Sequence, residues 1–236
     1  MSEYTVKRAI IMAAGEGKRL RPLTLKTPKP LIEVNGIRMI DTLIDALLSN
    51  GITDIHIVTG YMADSFDVLI SKYPMIAFVH NPDYGKYNNI SSLYYARDLL
   101  DTEVIIADAD QIIRNNGIMS SRFAISGYNA ARVDSYTNEW VMMVNNGIVQ
   151  SCSKNGADHG WQLFSVSRWT KEDALRLKKL VVLEFEINNR GDIYWDDIPM
   201  FLHSDDFELG ITVIERADLI EIDSLEELQM IDANYM

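Results

Sequence analysis

The sequence has 236 residues, 47% of them hydrophobic, and a formal net charge of −12 at pH 7. This length can bury one sizeable core, so we expect a single domain over residues 1–236. The negative charge disfavours nucleic acid and anionic membranes as partners, because both repel an acidic surface. Cys152 is the only cysteine, which excludes an internal disulfide and fits a reducing compartment. The sequence has no signal-peptide pattern and no long apolar run, and we expect a cytoplasmic protein.

Strand and helix patterns alternate through the first half of the sequence. The predicted elements are strands at 7–12, 54–59, 76–80 and 103–107, and helices at 37–50, 63–72 and 91–100. Such alternation is typical of an α/β fold with a doubly wound, mostly parallel sheet and helices on both faces. Ligands of these sheets bind at the carboxyl ends of the strands. The polar loops 13–30 and 108–111 are predicted to lie there.

The second half is richer in strands and contains an Asn-Gly sequence that is typical of a hairpin turn. Its predicted elements are strands at 140–144, 148–151 and 162–167, and helices at 170–177 and 223–230. We interpret residues from about 120 to 200 as a β-rich lid built onto the sheet. The core of the domain then comprises residues 1–115 and 200–236.

The strongest local signal is the loop after the first strand, Ala13-Ala14-Gly15-Glu16-Gly17-Lys18-Arg19. Two glycines let backbone N–H groups approach phosphates closely, and a guanidinium fork binds phosphate oxygens. The loop is not a P-loop, because Met12 and Arg19 replace the required Gly and Ser or Thr. It is not a Rossmann glycine motif either, because Leu20 replaces the third Gly. For Gly-x-Gly alone, a basic surface turn is the alternative.

The longer string, Gly15-x-Gly17-x-Arg19-Leu20-x-Pro22-Leu23-Thr24 with Pro28-Lys29-Pro30-Leu31, resembles the signature of the sugar-phosphate nucleotidyltransferase superfamily. The match spans 17 residues with fixed spacing. The resemblance implies a Rossmann-like nucleotidyltransferase domain in which Arg19 and Lys29 contact phosphates. It also implies nucleotide contacts from Met12, Ala13, Ala14, Gly15 and Gly17.

Two acidic segments supply candidate metal ligands. Asp108 and Asp110 follow the strand at 103–107, and Asp196 and Asp197 lie in the predicted lid. Carboxylates at a strand end can hold Mg²⁺ together with phosphate oxygens. In the superfamily, one Asp after the fourth strand and one from the lid bracket the metal, and Asp110 and Asp196 match these best. Asp108 and Asp197 are alternative metal ligands. In a chain with so many acidic residues, the alternative to a metal site is that these carboxylates are solvated turn or cap residues.

A narrower resemblance, to bacterial CTP:phosphocholine cytidylyltransferases, extends over nearly the whole chain. It is carried by the segments 81–84, 87–89, 92–94, 137–140, 192–196 and 221–224. This resemblance implies that Gly60, Tyr84 and Asn88 lie near the base and ribose. Asp108 is a further candidate for nucleotide contact.

The same resemblance assigns the acceptor site. It implies that Lys154 meets the acceptor phosphate and the α-phosphate, and that Trp140 and Tyr194 wall the pocket for a cationic group. Proteins recognise quaternary ammonium groups with aromatic faces, since such groups offer no N–H donor. The lid departs from the choline enzymes after Lys154, where it is several residues longer. A primary ammonium would prefer carboxylates, and the candidates are Asp158, Glu184 and Glu186.

The resemblance predicts a Mg²⁺-dependent cytidylyltransferase that transfers CMP from CTP to a small amino-alkyl phosphate or phosphonate and releases pyrophosphate. Phosphocholine is placed ahead of 2-aminoethylphosphonate as the acceptor. The alternatives are a sugar-1-phosphate nucleotidyltransferase and a non-catalytic nucleotide-binding regulatory module. Another open alternative is that the chain is one domain of a longer polypeptide.

Overall fold

A computed structural model describes residues 3–235; residues 1, 2 and 236, at the ends of the predicted domain, lie outside the described residues. The strands are β1 Tyr4–Thr5, β2 Arg8–Met12, β3 Glu33–Val34, β4 Ile37–Arg38, β5 Asp54–Thr59, β6 Ala77–His80, β7 Val104–Asp108, β8 Gln111–Ile113, β9 Arg122–Phe123, β10 Gly127–Val133, β11 Val141–Asn145, β12 Ile148–Ser153, β13 Gly160–Trp169, β14 Gly210–Val213 and β15 Leu219–Glu221. The α-helices are α1 Met39–Ser49, α2 Ile90–Tyr95, α3 Lys171–Val182 and α4 Leu225–Ile231. Segments at Leu183–Ile187 and Ile198–Leu202 are π-helical.

Within residues 3–235, nine strands form one central sheet in the order β10-β14-β12-β11-β13-β7-β2-β5-β6. The neighbours β7, β2, β5 and β6 are parallel, as the alternation of strands and helices predicts. Beyond them, β13 joins β7 antiparallel and the pairings are mostly antiparallel, with β10 and β14 parallel. The sheet is therefore mixed, and the prediction of a mostly parallel sheet holds only for its first half. The cause is connectivity: β11 and β12 are joined by a two-residue turn, which permits only an antiparallel pair.

The predicted lid is continuous with this sheet, since β13 pairs with β7 over four residues. Core packing covers both faces. Ile11 of β2 packs with Leu43 and Leu47 of α1 on one face. The preceding residue, Ile10, packs with α2 and α3 on the other face, because successive side chains of a strand point in opposite directions. The helices on both faces are as predicted.

Several element boundaries differ from the predictions. The helix expected at 63–72 is a 3₁₀-helix, Ala63–Leu69, whose polar residues favour turns over an α-helix interior. The helix expected at 91–100 is divided in two: α2 ends at Tyr95, and a separate 3₁₀ turn follows at Arg97–Leu99. The hairpin turn is confirmed, with positive φ at Asn146 and Gly147. Among the helices of residues 3–235, none is both long and apolar enough to cross a membrane.

Candidate active site

The glycine loop lies at the carboxyl edge of the parallel strands, directly after β2. The backbone N–H of Ala13 donates to a carbonyl of β5 at 2.9 Å, which fixes the start of the loop. Gly17 has a φ of +61°, and a Cβ there would lie 3.0 Å from Cβ of Lys29. This position therefore requires glycine for two reasons, conformation and space. A Cβ at Gly15 would meet no atom within 4 Å, so its glycine leaves the backbone open to the cleft.

The basic residues of the loop region contact carboxylates across the cleft. Nζ of Lys29 lies 2.9 Å from Oδ2 of Asp110 and 2.8 Å from Oδ1 of Asp223, and Nη2 of Arg19 lies 2.8 Å from the same oxygen of Asp223. Burial lowers the pKa of Lys29, but Asp110 and Asp223 outweigh it and raise the pKa above its ordinary value. Lys29 therefore remains a cation at the centre of the cleft.

Pairing between β8 and β15 assembles a group of carboxylates around Asp110. Gln111 faces Glu221 in the register of this pair, and the N–H of Ile222 donates to the carbonyl of Asp110 at 3.2 Å. Oxygens of Asp110, Glu221 and Asp223 then lie within 4.8 Å of one another. Within the described residues, Oδ1 of Asp110 is buried without a hydrogen-bond partner. An all-carboxylate group with an unpaired oxygen fits a hard divalent cation such as Mg²⁺.

The sequence prediction missed Glu221 and Asp223 as members of this group. Their stretch was singled out for its resemblance to the cytidylyltransferases, but Asp223 was otherwise interpreted only as an alternative to Ser224 for the cap of the terminal helix. Ser224 is the cap of α4, and its hydroxyl oxygen accepts from the N–H of Glu227. The predicted metal partner of Asp110, Asp196, is not a member of the three-carboxylate group. The pairing of Asp110 with Asp196 through a metal stays a prediction.

Further carboxylates give the inner cleft a high density of negative charge. Burial, followed by the charges of Asp110 and Asp196, raises the pKa of Asp108 well above its ordinary value. Burial also raises the pKa of Asp196 to about 7, although the Tyr128 hydroxyl donates to it at 2.9 Å. Burial and the neighbouring Asp110 raise the pKa of Glu221 to about 8. A bound cation would relieve this repulsion.

Two cavities of about 450 and 330 Å³ share residues and form one cleft. The larger, which we call the glycine-loop half, is lined by the predicted residues Met12, Ala13, Ala14, Gly15, Gly17, Arg19, Lys29, Tyr84, Asp108 and Asp110. The smaller, which we call the aromatic half, is lined by the predicted residues Arg19, Asp108, Asp110, Trp140, Lys154, Tyr194 and Asp196. Because Arg19, Asp108 and Asp110 line both halves, the structure brings the two predicted subsites together at these charged residues.

Gly60 and Asn88, both predicted to contact the nucleotide, line neither half in the described part of the chain. A Cβ at Gly60 would lie 2.7 Å from Cβ of Tyr84, so Gly60 acts by allowing Tyr84 to pack against it. The side-chain amide of Asn88 donates to the carbonyl of Asp192 at 3.2 Å. Asn89 lines both halves instead, and its Oδ1 accepts from a backbone N–H at 2.9 Å. In the described part of the chain Asn89, not Asn88, therefore lines the cleft, and the contact of Asn88 with the nucleotide stays a prediction.

The aromatic half contains the predicted pair of rings, and two further residues, Phe201 and Asp197, contact residues that line it. The ring centroids of Trp140 and Tyr194 are 5.9 Å apart, edge to face. Phe201 contacts the other side of Trp140 at 5.4 Å. The ammonium of Lys154 lies over both Trp140 and Phe201 and forms an ion pair with Asp197. The approach of Trp140 to Tyr194 is as the resemblance implied.

The carboxylates proposed for a primary ammonium lie elsewhere. Asp158, Glu184 and Glu186 are each paired outside the cleft, with His159, His203 and Tyr94 respectively. Within residues 3–235 none of the three lines the aromatic half, so the structure does not bring them together with Trp140 and Tyr194 there. Their charges are already compensated by local partners. Glu139, next to Trp140, lines the aromatic half and was missed.

Comparison with known proteins defines the class. Residues 8–133 match the family model described as nucleotidyl transferase, which is more than half of the chain. The chain belongs to this family and is a nucleotidyltransferase enzyme, as the motif predicts. It is 36% identical over 230 residues to the 2-aminoethylphosphonate cytidylyltransferase of Lancefieldella rimae, covering 97% of this chain and 93% of the relative.

Two further relatives cover the chain almost completely. The choline-phosphate cytidylyltransferase of Streptococcus pneumoniae is 31% identical over 225 residues, which is 95% of this chain and 96% of the relative. The solved structure of the CTP:phosphocholine cytidylyltransferase LicC from Streptococcus pneumoniae superimposes with a TM-score of 0.87 at 31% identity, covering 98% of this chain and all of that one. The similarity therefore extends through the aromatic half as well as the glycine-loop half.

Proposed function

We propose that the protein transfers CMP from CTP to a small phosphonate or phosphate that carries an ammonium group, with release of pyrophosphate. The observation that carries this proposal is the single cleft. Its glycine-loop half suits a triphosphate, and its aromatic half suits a cation, because it presents Trp140 and Tyr194 with Asp197 close by. The relatives that span the whole chain are named for cytidylyl transfer to acceptors of this type.

We place 2-aminoethylphosphonate first among the acceptors and phosphocholine second, which reverses the order taken from the sequence. Carboxylates beside the rings, Glu139 and Asp197, can accept hydrogen bonds from a primary ammonium but not from a quaternary one. The 36% identical relative is named for the aminophosphonate. A hexose phosphate is the less suitable acceptor, since its several hydroxyl groups need several hydrogen-bond partners and the faces of the aromatic rings offer none.

The reaction forms a bond between an acceptor oxygen and the α-phosphorus, and it breaks the bond from that phosphorus to pyrophosphate. The acceptor is already an anion at neutral pH, so its oxygen needs no general base. The protein must bring two anions together and stabilise the charge that develops on the leaving group. We assign this role to Arg19 and Lys29, which converge on Asp223 at the junction of the two halves.

We propose Mg²⁺ as the cofactor, which Asp110, Glu221 and Asp223 would hold, with Asp196 as a further candidate ligand. The unpaired, buried Oδ1 of Asp110 and the raised pKa values around it support this assignment. When bound, the ion would offset negative charge on the triphosphate.

The test is a pyrophosphate-release assay that combines CTP, UTP, dTTP and ATP with four acceptors: 2-aminoethylphosphonate, phosphocholine, phosphoethanolamine and glucose-1-phosphate. We expect turnover with CTP and an amine-bearing acceptor, at the highest kcat/KM for the aminophosphonate. Turnover of glucose-1-phosphate without any amine acceptor would overturn the proposal in favour of a sugar nucleotidyltransferase. Absence of pyrophosphate release in all combinations would favour a non-catalytic nucleotide-binding module.

A further inference from the structure

The aromatic half already contains a cation, the ammonium of Lys154. This ammonium lies 5.0 Å from the ring centroid of Trp140 and 4.8 Å from that of Phe201. It also contacts the carboxylate of Asp197. Two aromatic faces and one carboxylate thus surround a positive charge, which is the chemistry that recognises an ammonium ligand.

The two partners of this ion pair differ in their freedom to move. The side chain of Asp197 is 6% exposed, and its Oδ2 accepts a hydrogen bond from the N–H of Tyr194 at 3.1 Å. Lys154 is 42% exposed and carries its charge on a flexible four-carbon chain. Asp197 is therefore fixed and Lys154 is the partner that can leave. Its departure alone would leave a buried carboxylate unpaired, which is strongly unfavourable.

We propose that the acceptor binds by exchanging partners with this ion pair, an inference that rests on the proposed function. The acceptor's ammonium takes the place of the Lys154 ammonium beside Asp197, Trp140 and Phe201. The released Lys154 then pairs with the phosphonate or phosphate of the same acceptor. One protein ion pair is replaced by two pairs with the ligand, and every charge stays compensated.

This exchange makes Asp197 a specificity-determining residue. An acceptor with an ammonium at one end and an anion at the other satisfies both Asp197 and Lys154. An acceptor that has only the anion attracts Lys154 but leaves Asp197 unpaired, and its binding includes that penalty. The ion pair therefore selects zwitterionic acceptors by rejecting purely anionic ones, in addition to the attraction of the rings.

The first experiment compares 2-aminoethylphosphonate with ethylphosphonate, which lacks only the amine, at saturating CTP. Asp197→Asn removes the charge but keeps an oxygen that can accept from Tyr194. We expect the ratio of the two kcat/KM values to fall by about tenfold or more in this variant, because the penalty for the amine-free acceptor disappears. Asp205→Asn, which changes an exposed carboxylate outside the cleft, should keep the wild-type ratio.

An unchanged ratio in Asp197→Asn, with turnover of the aminophosphonate retained, would overturn the exchange and leave the proposed function intact. The proposed function is tested by the wild-type enzyme alone, and it is wrong if that enzyme turns over no amine-bearing acceptor.

A second measurement needs no turnover and uses Lys154→Met, which circular dichroism must first show to be folded, because Asp197 loses its partner in this variant. Ethylammonium, titrated against the quenching of tryptophan fluorescence, competes in wild-type protein with Lys154 for the cation position. Lys154→Met removes that internal competitor, and we expect ethylammonium to bind about tenfold tighter or better. Equal or weaker binding by Lys154→Met would show that the ammonium does not occupy the position of Lys154, and the inference would be wrong.

Discussion

Arg19 and Lys29 are the two cations of the family motif, and the structure gives them different surroundings. The side chain of Arg19 is 72% exposed, and its carboxylate contact is Asp223. That of Lys29 is 10% exposed and is held between Asp110 and Asp223. Lys29 therefore contributes to the fold as well as to the cleft, whereas the guanidinium of Arg19 is available to a ligand.

The variants of these residues should separate the two roles. Arg19→Lys keeps the charge but loses the fork that binds two phosphate oxygens, so kcat/KM should fall about tenfold or more while the unfolding temperature stays constant. Lys29→Met should reduce kcat/KM and also lower the free energy of unfolding by about 2 kcal/mol, because partly buried carboxylates lose their partner. Steady-state kinetics and thermal unfolding measure both effects. Unchanged kinetics in Arg19→Lys would identify Arg19 as a surface residue.

The pKa of Cys152 responds to burial and to nearby charges of the aromatic half. Burial, with the charge of Asp196 next, raises the pKa of this thiol to about 12. Its thiolate should therefore be scarce at pH 8, and a disulfide reagent should react about 100-fold more slowly with native than with unfolded protein. Since it is the only cysteine, the reaction has a single phase. A native rate equal to the unfolded rate would contradict the raised pKa.

At the scale of elements, one buried carboxylate holds the segment that carries Tyr194, Asp196 and Asp197. This segment lies between the π-helical stretches Leu183–Ile187 and Ile198–Leu202. Glu184, in the first stretch, is buried and is paired with side chains further along the chain: Asn188, Arg190 and His203. Such π-helical turns are common beside functional sites, where they re-aim side chains. The pairing of Glu184 fixes both ends of the segment.

Glu184→Gln should loosen this segment. Burial raises the pKa of Glu184, but His203, Asn188 and Arg190 outweigh it and hold the pKa below its ordinary value of 4.5. A carboxylate with a lowered folded-state pKa stabilises the fold above its unfolded pKa, and the stabilisation is lost as the pH falls through the folded value. Denaturation of both proteins should therefore show wild type to be more stable at pH 7, with the difference shrinking below about pH 4.

The same variant should raise KM for the acceptor more than KM for CTP, because Tyr194 and Asp197 of the segment face the acceptor in the proposed complex, whereas the segment reaches CTP only through the ion that Asp196 would help to hold. A matched control is Glu186→Gln, whose carboxylate is more exposed and accepts from the Tyr94 hydroxyl. Equal increases of both KM values in Glu184→Gln would indicate general loosening rather than positioning of the acceptor segment.

At the scale of the whole molecule, the cleft collects acidic side chains from distant parts of the chain and leaves them incompletely neutralised. Asp110, Glu221 and Asp223 meet there because β8 and β15 pair, and Asp196 comes from the segment between the π-helical stretches. Binding of a divalent cation with CTP should therefore stabilise the native state. At a hundredfold excess over the dissociation constant, the stabilisation is about 2.7 kcal/mol.

The expected consequence is a rise of about 5 °C or more in the unfolding temperature with Mg²⁺ and CTP together. Asp110→Asn should lose most of that rise and reduce turnover by about two orders of magnitude, if the lost charge stabilisation is about 3 kcal/mol. Thermal unfolding with CTP and EDTA serves as the control. Near-normal turnover by Asp110→Asn would transfer the metal role to Asp108.

Local sequence patterns were enough to predict part of the fold and part of the candidate site. The four parallel strands, the glycine loop and the two cations of its motif were predicted from short segments of neighbouring residues. The resemblance, extending from the loop to the terminal helix, gave the aromatic pair of Trp140 and Tyr194. The strands and the loop were predictable because the residues that define each of them are neighbours in the sequence. The aromatic pair was predictable because the segments that carry it match those of a known family.

Only the tertiary structure decided the rest. The antiparallel half of the sheet depends on which strands meet, and β8 pairing with β15 brings Glu221 and Asp223 to Asp110 from the far end of the chain. Whether Asn88 or Asn89 lines the cleft depends on the backbone conformation just before α2. The ion pair of Lys154 and Asp197 joins two segments with no common pattern. Contacts between distant segments are set by packing, and a single sequence does not record them locally.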